Sequence, residues 1–581
     1  MTGFSTTLAT IWRIALPYFR SDDAWAGRVL LTAVIAIELA NVGIMVLINQ
    51  WNARFYNALQ DHNWDSFVRE LLIFCTLAAA YIVLAVYQLY LNQWLQIRWR
   101  QWMTREYLAR WLTSGFHYRM QVLGDAADNP DQRVAEDVQI FIERTLTIGI
   151  GLLGAVVSLA SFVVILWSLS AAAPLTLYGQ TWNIPGYLVW AALIYATIGT
   201  LLTHLVGRPL VALNFNQQRY EADFRFNLVR VRENSEQIAL LHGETAERER
   251  LGERFAAVVA NWLRIMSRTK QLTFLTSSYA QLSVIFPFIV VTPAYFAGHL
   301  QLGGLTQTAG AFNSVQNALS FFINVYRQLA EWRAVIARLD GFDAAINAAG
   351  ALGITSAAIT VAPAPVPQIR LDALDVALPD GKPLVAADGI AFAPREQVLV
   401  TGPSGSGKST LFRAIAGIWP FGKGKVSIPA GATVMTLPQR PYLPIGPLAA
   451  AVAYPAVAGT FDPVRIRDLL VAVGLPALAG RLDDQQHWNR MLSLGEQQRI
   501  GVARAILHAP DYLFLDEATA SLDEPAEAAL YQLLQRRLPG TTIVSIGHRS
   551  TLAAFHKRHV VLARAGDRYS LKEAALDAAA T

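Results

Sequence analysis

The sequence predicts two unlike halves: an α-helical membrane domain with six transmembrane helices, then an α/β domain built around a phosphate-binding loop. Three observations predict this division. Long apolar runs are confined to residues 1–340, strand–loop–helix patterns with clustered polar groups are confined to residues 369–581, and an Ala- and Pro-rich stretch, 341–368, reads as a linker between them. Over 581 residues, hydrophobic side chains make up 53% and charged ones 16%, with a mean hydropathy of +0.32, too apolar for a purely water-soluble chain.

The opening MTGFSTTLATIWRIALPYFRSDD lacks the continuous apolar core and small-residue cleavage site of a signal peptide. Its spaced Phe4, Leu8, Ile11, Trp12, Leu16 and Phe19 predict an interfacial helix within residues 1–28. A bilayer core takes about 20 mainly apolar residues in helix. Six stretches meet that need: 29–51, 70–95, 146–170, 184–206, 274–298 and 309–332, the last diluted by Asn313, Gln316, Asn317 and Asn324. A buried core helix is the competing reading for any single stretch, but it does not explain six.

Orientation follows from the basic residues. The connections 171–183 and 299–308 contain no Lys or Arg. By contrast, 98–119 carries Arg98, Arg100, Arg105, Arg110 and Arg119, and 207–270 carries ten Arg and Lys270. Arg13, Arg20 and Arg28 precede the first span, and Arg327, Arg333 and Arg338 end or follow the sixth, so both termini are expected in the cytoplasm. The first outer connection is a weak exception, with Arg54 and Arg69 among Asp61, Asp65 and Glu70. Both cytoplasmic connections are too long to be turns. Their patterns, QWLQIRWRQWMTREYLARWL and NQQRYEADFRFNLVRVRENSEQIALL, continue the spans as helices, either as levers acting on a second domain or as a solvated stalk.

Within the spans, Glu38 and Asn41 lie about one turn apart, in IAIELANVG. A carboxylate at that depth needs a water-filled cavity or a partner, so these two are candidates for a solute or proton pathway, with structural hydrogen bonding as the alternative. Cys75 stands alone in an apolar run, which rules out an intrachain disulfide and predicts a small buried apolar residue. The net charge of +5 forms no clustered basic face with interleaved aromatics, and nucleic-acid binding is not expected.

The second half carries the chemistry. A β-run, Val398–Thr401, enters Gly402-Pro403-Ser404-Gly405-Ser406-Gly407-Lys408-Ser409-Thr410 and leaves as a helix. The glycines let backbone N–H groups wrap phosphates, Lys408 reaches the β/γ oxygens, and Ser409 offers its hydroxyl to Mg²⁺. A second apolar strand ends in Asp516 and Glu517. Asp516 is placed to hold Mg²⁺ through water, and Glu517 to polarise an attacking water as general base. A third run ends in Ile546-Gly547-His548, where a neutral His can meet the γ-phosphate. LSLGEQQR, residues 492–499, sets Ser493 and Gly495 ahead of a helix, an arrangement that offers an anion a hydroxyl, free N–H groups and the positive end of a dipole. This half therefore reads as an α/β P-loop nucleoside triphosphatase.

The ordered set GPSGSGKST, Gln439 in TLPQRPYLP, LSLGEQQR, YLFLDE, Ser521-Leu522-Asp523 and His548 resembles an ATP-binding cassette domain from about 369 to 570. The resemblance implies that Ser493, Gly495 and Glu496 face the γ-phosphate of an ATP held by Lys408 and Ser409 of a second copy, so hydrolysis takes two cassettes. It also implies that Gln439 senses Mg²⁺ and the water, and that Asp523 positions the two halves. Two departures stand out. Leu494 and Glu496 replace the usual Gly and Gln of the signature, a form found in some subfamilies. Leu378 stands where an aromatic commonly stacks on adenine, which implies looser nucleotide discrimination.

The membrane half, through LQIRWRQWMTREYLARWL, NPDQRVAEDVQIF, EADFRFNLVRVRENSEQIALLHGE and LSFFINVYRQLAEWRAVIARL, is similar to the SbmA/BacA-like permease domain over most of 10–340. Relatives without a cassette are proton-driven peptide importers. Fused relatives are of the BclA/YddA type and include a mycobacterial hydrophilic-solute transporter. Peroxisomal fatty-acyl-CoA transporters, with an exporter-like arrangement of spans, are more distant. The resemblance implies an exporter-like type of membrane domain and a homodimeric half-transporter in a bacterial inner membrane. Such a transporter would use ATP and Mg²⁺ to import hydrophilic or peptide-like solutes, with no binding protein, and RENSEQIALLHGE would form part of the contact with the cassette. Export of lipid, fatty-acyl or drug-like compounds, or an ATP-controlled regulator with no pumped solute, are the alternatives, because fold does not fix direction.

Overall fold

The computed structural model describes residues 4–123, 129–172, 174–177, 180–182, 184–351 and 358–574. They form two compact units, one of residues 1–107 and 131–340, the other of 108–130 and 341–581.

The first unit is helical. Its longer helices are α1 (Phe4–Ala15), α2 (Ala24–Gln60), α3 (Trp64–Leu112), α4 (Phe116–Leu123), α5 (Val138–Ala172), α6 (Tyr187–Glu233), α7 (Glu244–Phe296), α8 (Leu302–Leu319) and α9 (Phe321–Ala351). α4 and the end of α9 belong to the second unit. α1 buries Ile11, Ile14 and Ala15 while Leu8 and Trp12 stay exposed, as a helix lying against a surface requires. After Pro17 the chain turns at Tyr18, which is fully buried and stacked on Trp99 at 5.5 Å between ring centroids. Gly27 makes room for it, since a Cβ there would lie 2.7 Å from the Tyr18 ring. Asp23, just before α2, is clamped by the Arg98 guanidinium.

Among the described residues, five helices are long and apolar enough to cross a bilayer: α2, α3, α5 with the turn before it, α6 and α7. At about 1.5 Å per residue, α3, α6 and α7 each run roughly 70 Å or more, against an apolar core of about 30 Å. Their Arg-rich ends therefore project well beyond the bilayer, as the two long Arg-rich connections lead one to expect. α6 and α7 lie alongside each other. Buried Asn261 donates to Leu213 O and Gln217 Oε1, both at 2.9 Å, and Tyr195 stacks on Tyr279 at 4.5 Å.

The sixth expected span is interrupted. Residues 309–332 do not form one continuous helix but are divided between α8 and α9 at Ser320, and neither is among the five. Of the amides that dilute this run, Gln316 is buried inside the unit. Helix α8 is held by hydrogen bonds from Gly303 N to Asn57 Oδ1 (2.8 Å) and from Asn49 Nδ2 to Gln307 O (3.0 Å). Gly303 touches α2 so closely that a Cβ would lie 1.9 Å from Ala53 O. Phe162, Leu166, Leu188, Ala192, Val291, Ala311 and Phe312 form the core shared by α5–α8. Cys75 is a correction. It is exposed on α3, because an apolar residue of a span can face lipid instead of a protein interior.

The second unit is a cassette around an eleven-stranded sheet: β1 (Thr360–Ala364), β2 (Ile369–Ala377), β3 (Pro383–Ala387), β4 (Ile390–Phe392), β5 (Gln397–Thr401), β6 (Gly422–Pro429), β7 (Val434–Leu437), β8 (Tyr512–Asp516), β9 (Thr542–Ile546), β10 (Arg558–Ala565) and β11 (Arg568–Ala574). The order is β1-β6-β2-β3-β11-β10-β5-β9-β8-β7, with β4 on β2. From β10 to β7 all neighbours are parallel, and β8 and β9 are buried almost throughout, as continuous apolar strands covered on both faces should be.

The expected linker at 341–368 is not continuous coil. Its first residues are the last turns of α9, residues 352–357 lie outside the described region, and Thr360–Ala364 joins the sheet as β1. α4, in the first long Arg-rich connection, is part of this unit. Tyr118 and Val122 rest against its core, Arg119 donates to Gly417 O at 3.3 Å, and Arg110 pairs with Asp343 at 2.8 Å.

Candidate functional site

Parallel strands bring their following loops to one edge, and ligands of open α/β sheets bind at that edge. Here four neighbours do so. β5 leads into the Gly402–Thr410 loop, β9 into His548, β8 into Asp516 and Glu517, and β7 into Gln439.

The loop closes on α10 (Lys408–Ile415), whose N-cap is Gly407 at φ +91°. Only glycine fits there, since a Cβ would lie 2.6 Å from Val385 Cγ2. Lys408 is buried, and its ammonium donates to Gly402 O and Pro403 O, both at 2.9 Å, curling the loop around the cation. Burial pushes its pKa below the usual lysine value, against the pull of Glu517 and Asp516. The Ser406 hydroxyl is fully buried with no hydrogen-bond partner. Ser404 and Gly405 are exposed at the tip, and Thr410 continues the first turn of α10.

Ser409 Oγ donates to Asp516 Oδ1 at 2.8 Å. Burial raises the Asp516 pKa above the ordinary carboxylate value, and the Ser409 hydrogen bond opposes the shift. Among the described residues no group of three or more His, Cys, Asp or Glu side chains is placed to hold a metal. A hydroxyl paired with one carboxylate beside a phosphate loop suits Mg²⁺, which takes few protein ligands and completes its octahedron with phosphate oxygens and water.

Glu517 follows with a left-handed backbone, φ +50°, and its N–H donates to Ile546 O at 3.2 Å. The turn takes Glu517 off the line of β8, and its Oε1 lies 3.1 Å from His548 Nε2. Strain of this kind in a non-glycine residue costs about 1–3 kcal/mol and needs the surroundings to hold it. Gln439 is exposed beyond β7, and its carbonyl accepts from buried Gln498 at 3.0 Å.

Ser493 caps α11 (Leu494–His508). Glu496 N donates to Ser493 Oγ (3.3 Å), while Ser493 N and Oγ both donate to Glu496 Oε2, at 2.9 and 2.8 Å. Gly495 lies against the loop after β8, where a Cβ would sit 3.2 Å from Leu522 Cδ2. The structure thus places the expected residues in two sets, one at the sheet edge and one at the start of α11. Asp523 caps α12 (Glu524–Arg537), accepting from Ala526 N at 3.1 Å. Leu378 is in a tight turn, half-buried against the core. Sequence reasoning missed Gln498, inside the LSLGEQQR stretch, and Arg549, one residue past His548.

In the spans, Asn41 Nδ2 donates to Gln88 Oε1 at 2.8 Å, and Gln88 Nε2 donates to the Glu38 carboxylate. Gly154 of α5 lies against that carboxylate, where a Cβ would clash. Gln88 is a third member that the sequence reading did not identify. Asn41 Oδ1 is buried without a partner.

Two family models match the chain: ABC transporter transmembrane region 2 over residues 11–296 and ABC transporter over 389–520. The chain is 34% identical to the inner membrane ABC transporter ATP-binding protein YddA of Escherichia coli, covering 92% of this chain and 93% of the relative. It is 26% identical to the lysosomal cobalamin transporter ABCD4 of Mus musculus, covering 94% and 92%. The fold matches a solved bacterial Atm1-family ABC exporter with ATP bound, with a TM-score of 0.71 at 16% identity, over 93% of this chain and 94% of that one. A helical membrane unit and a phosphate-loop cassette on one polypeptide, matched end to end by such relatives, place this chain in the ABC transporter family, as a half-transporter that couples ATP hydrolysis to movement across a membrane.

Proposed function

We propose that two copies of this chain form a homodimer in a bacterial inner membrane, with both termini and the cassettes in the cytoplasm, and import a hydrophilic, peptide-like solute. One observation carries the two-copy reading. The sheet-edge groups find partners along their own edge (Lys408 with the loop carbonyls, Ser409 with Asp516, Glu517 with His548), while Ser493, Gly495 and Glu496 form a separate set on an exposed helix start. In the dimer each set meets its complement on the other copy. Gly402–Thr410 hold the phosphates, Ser409, Asp516 and Gln439 hold Mg²⁺, Glu517 takes the proton of the attacking water, and His548 orients the γ-phosphate. RENSEQIALLHGE, in which Leu240 and Leu241 are exposed, forms part of the contact with a cassette.

Mixed dimers test this reading. A dimer of one Lys408→Ala chain and one Ser493→Ala chain keeps one intact composite site. Purified heterodimers are expected to retain one ATP per dimer in a Glu517→Gln background, where neither parent homodimer retains any. Full retention by the Ser493→Ala homodimer sinks the two-copy site.

The Glu38–Gln88–Asn41 group is the polar station of the solute or proton pathway, because it offers a carboxylate and an unpartnered acceptor across the apolar part of the unit. The hydrophilic solute class is supported by the name of the cobalamin-transporting relative. Sealed vesicles of known orientation decide direction. ATP-dependent accumulation of labelled hydrophilic peptides on the cassette side is expected, and accumulation on the opposite side makes the protein an exporter.

A further inference from the structure

The segment after β8, residues 518–523, links the hydrolytic carboxylate to α12 and lies against Gly495 of α11. Its backbone is held from two sides by side chains that have no place in the hydrolytic site. From one side comes Arg549, the residue after His548. Its Nη1 donates to Leu522 O at 2.7 Å, its Nη2 to Ala520 O at 3.2 Å, and Nη1 also reaches Glu527 Oε2 at 3.3 Å. Glu527 is 2% exposed and accepts from Thr519 Oγ1 at 2.6 Å, and Arg549 is its cationic partner among the described residues. From the other side comes Gln498 of α11, 1% exposed. Its Oε1 accepts from Ser521 N at 3.0 Å and its Nε2 donates to Gln439 O at 3.0 Å.

We propose that Arg549 and Gln498 are positioning residues that fasten the 519–523 loop to His548 on one side and to Gln439 on the other, so that the loop follows the state of the chain's own nucleotide site. The inference rests on the two-copy reading, in which this loop faces the partner. The chemistry favours these residue types. A planar guanidinium satisfies two carbonyls and a carboxylate at once, which an ammonium cannot do with the same rigidity. A buried primary amide accepts and donates at the same time, so one Gln spans two loops without adding charge. Since His548 and Arg549 are consecutive, a shift of the His548 backbone moves the guanidinium that holds Ala520 and Leu522.

The test uses the full chain in detergent with Glu517→Gln as background, and reads the release rate of trapped ATP. Arg549→Lys keeps the charge beside Glu527 but loses the fork. It is expected to release ATP about tenfold faster at an unchanged thermal midpoint, and Gln498→Leu likewise. Combined with His548→Ala, Arg549→Lys is expected to add nothing beyond the faster single variant, because both changes break one link. Gln498→Leu combined with Gln439→Ala is expected to behave in the same way. Independent, merely structural roles multiply the rates instead, and that outcome overturns the inference. So does release by Arg549→Lys at the background rate, which leaves the two-copy reading intact. A background protein that traps no ATP overturns both.

Discussion

Glu496 accepts both the backbone N–H and the hydroxyl hydrogen of Ser493, so the helix start expected to receive a phosphate already carries an anion of its own. The capping box makes the start of α11 well defined, and it also leaves a carboxylate to be displaced or repelled when a triphosphate arrives. Glu496→Gln keeps an acceptor for the box while removing the charge. The expected outcome is a two- to fivefold lower KM for ATP, in line with a like-charge term of about 0.5–1 kcal/mol at an exposed site, with the thermal midpoint nearly unchanged. A raised KM contradicts it.

The strained turn at Glu517 brings its carboxylate to His548 and away from the Ser409–Asp516 pair. Glu517→Gln is expected to bind ATP normally and lower turnover by at least about a hundredfold, the usual scale for loss of a general base. Steady-state phosphate release against equilibrium nucleotide binding checks this, and near-normal release assigns the base elsewhere.

Leu378 offers an aliphatic edge, half-buried in its turn, where a ring would give adenine a stacking face. ATP and GTP are expected to support turnover within a few fold of each other. Parallel kcat/KM measurements decide it, and a strong preference for ATP refutes it. Leu378→Tyr is expected to widen the gap in favour of ATP.

His556 is buried, with Nδ1 2.7 Å from Leu552 O and Nε2 2.8 Å from Ser545 Oγ. Nδ1–H donates to the carbonyl, and in the neutral ring Nε2 accepts from the hydroxyl. Burial lowers its pKa below the ordinary 6.5. The unfolded chain therefore binds a proton before the folded one does. This site's contribution is complete above about pH 6.5 and declines as pH falls from there towards the folded pKa, by up to about 1.4 kcal/mol per pH unit. Thermal midpoints from pH 7.5 to 5 are expected to fall, with a shallower slope in His556→Gln. An equal slope in both proteins assigns the acid sensitivity to other groups.

Much of this protein is legible in its residues. The strand-then-glycine pattern of Val398–Thr410 fixes a phosphate cradle, because only that backbone lets consecutive N–H groups turn inward, and the structure places Lys408 at its centre. Apolar runs and the distribution of arginine mark the long helices, since lipid tolerates no unpaired backbone and no idle charge. Other features depend on contacts between residues far apart in the chain. The close approach of α8 to α2 at Gly303 and the burial of Gln316 are set by packing, and Cys75 is exposed because a span can turn any apolar face outward. Only the folded chain brings Gln88 to Glu38, Gln498 to Ser521 and Arg549 to Leu522, because each bond joins separate helices or loops and leaves no local periodicity to read.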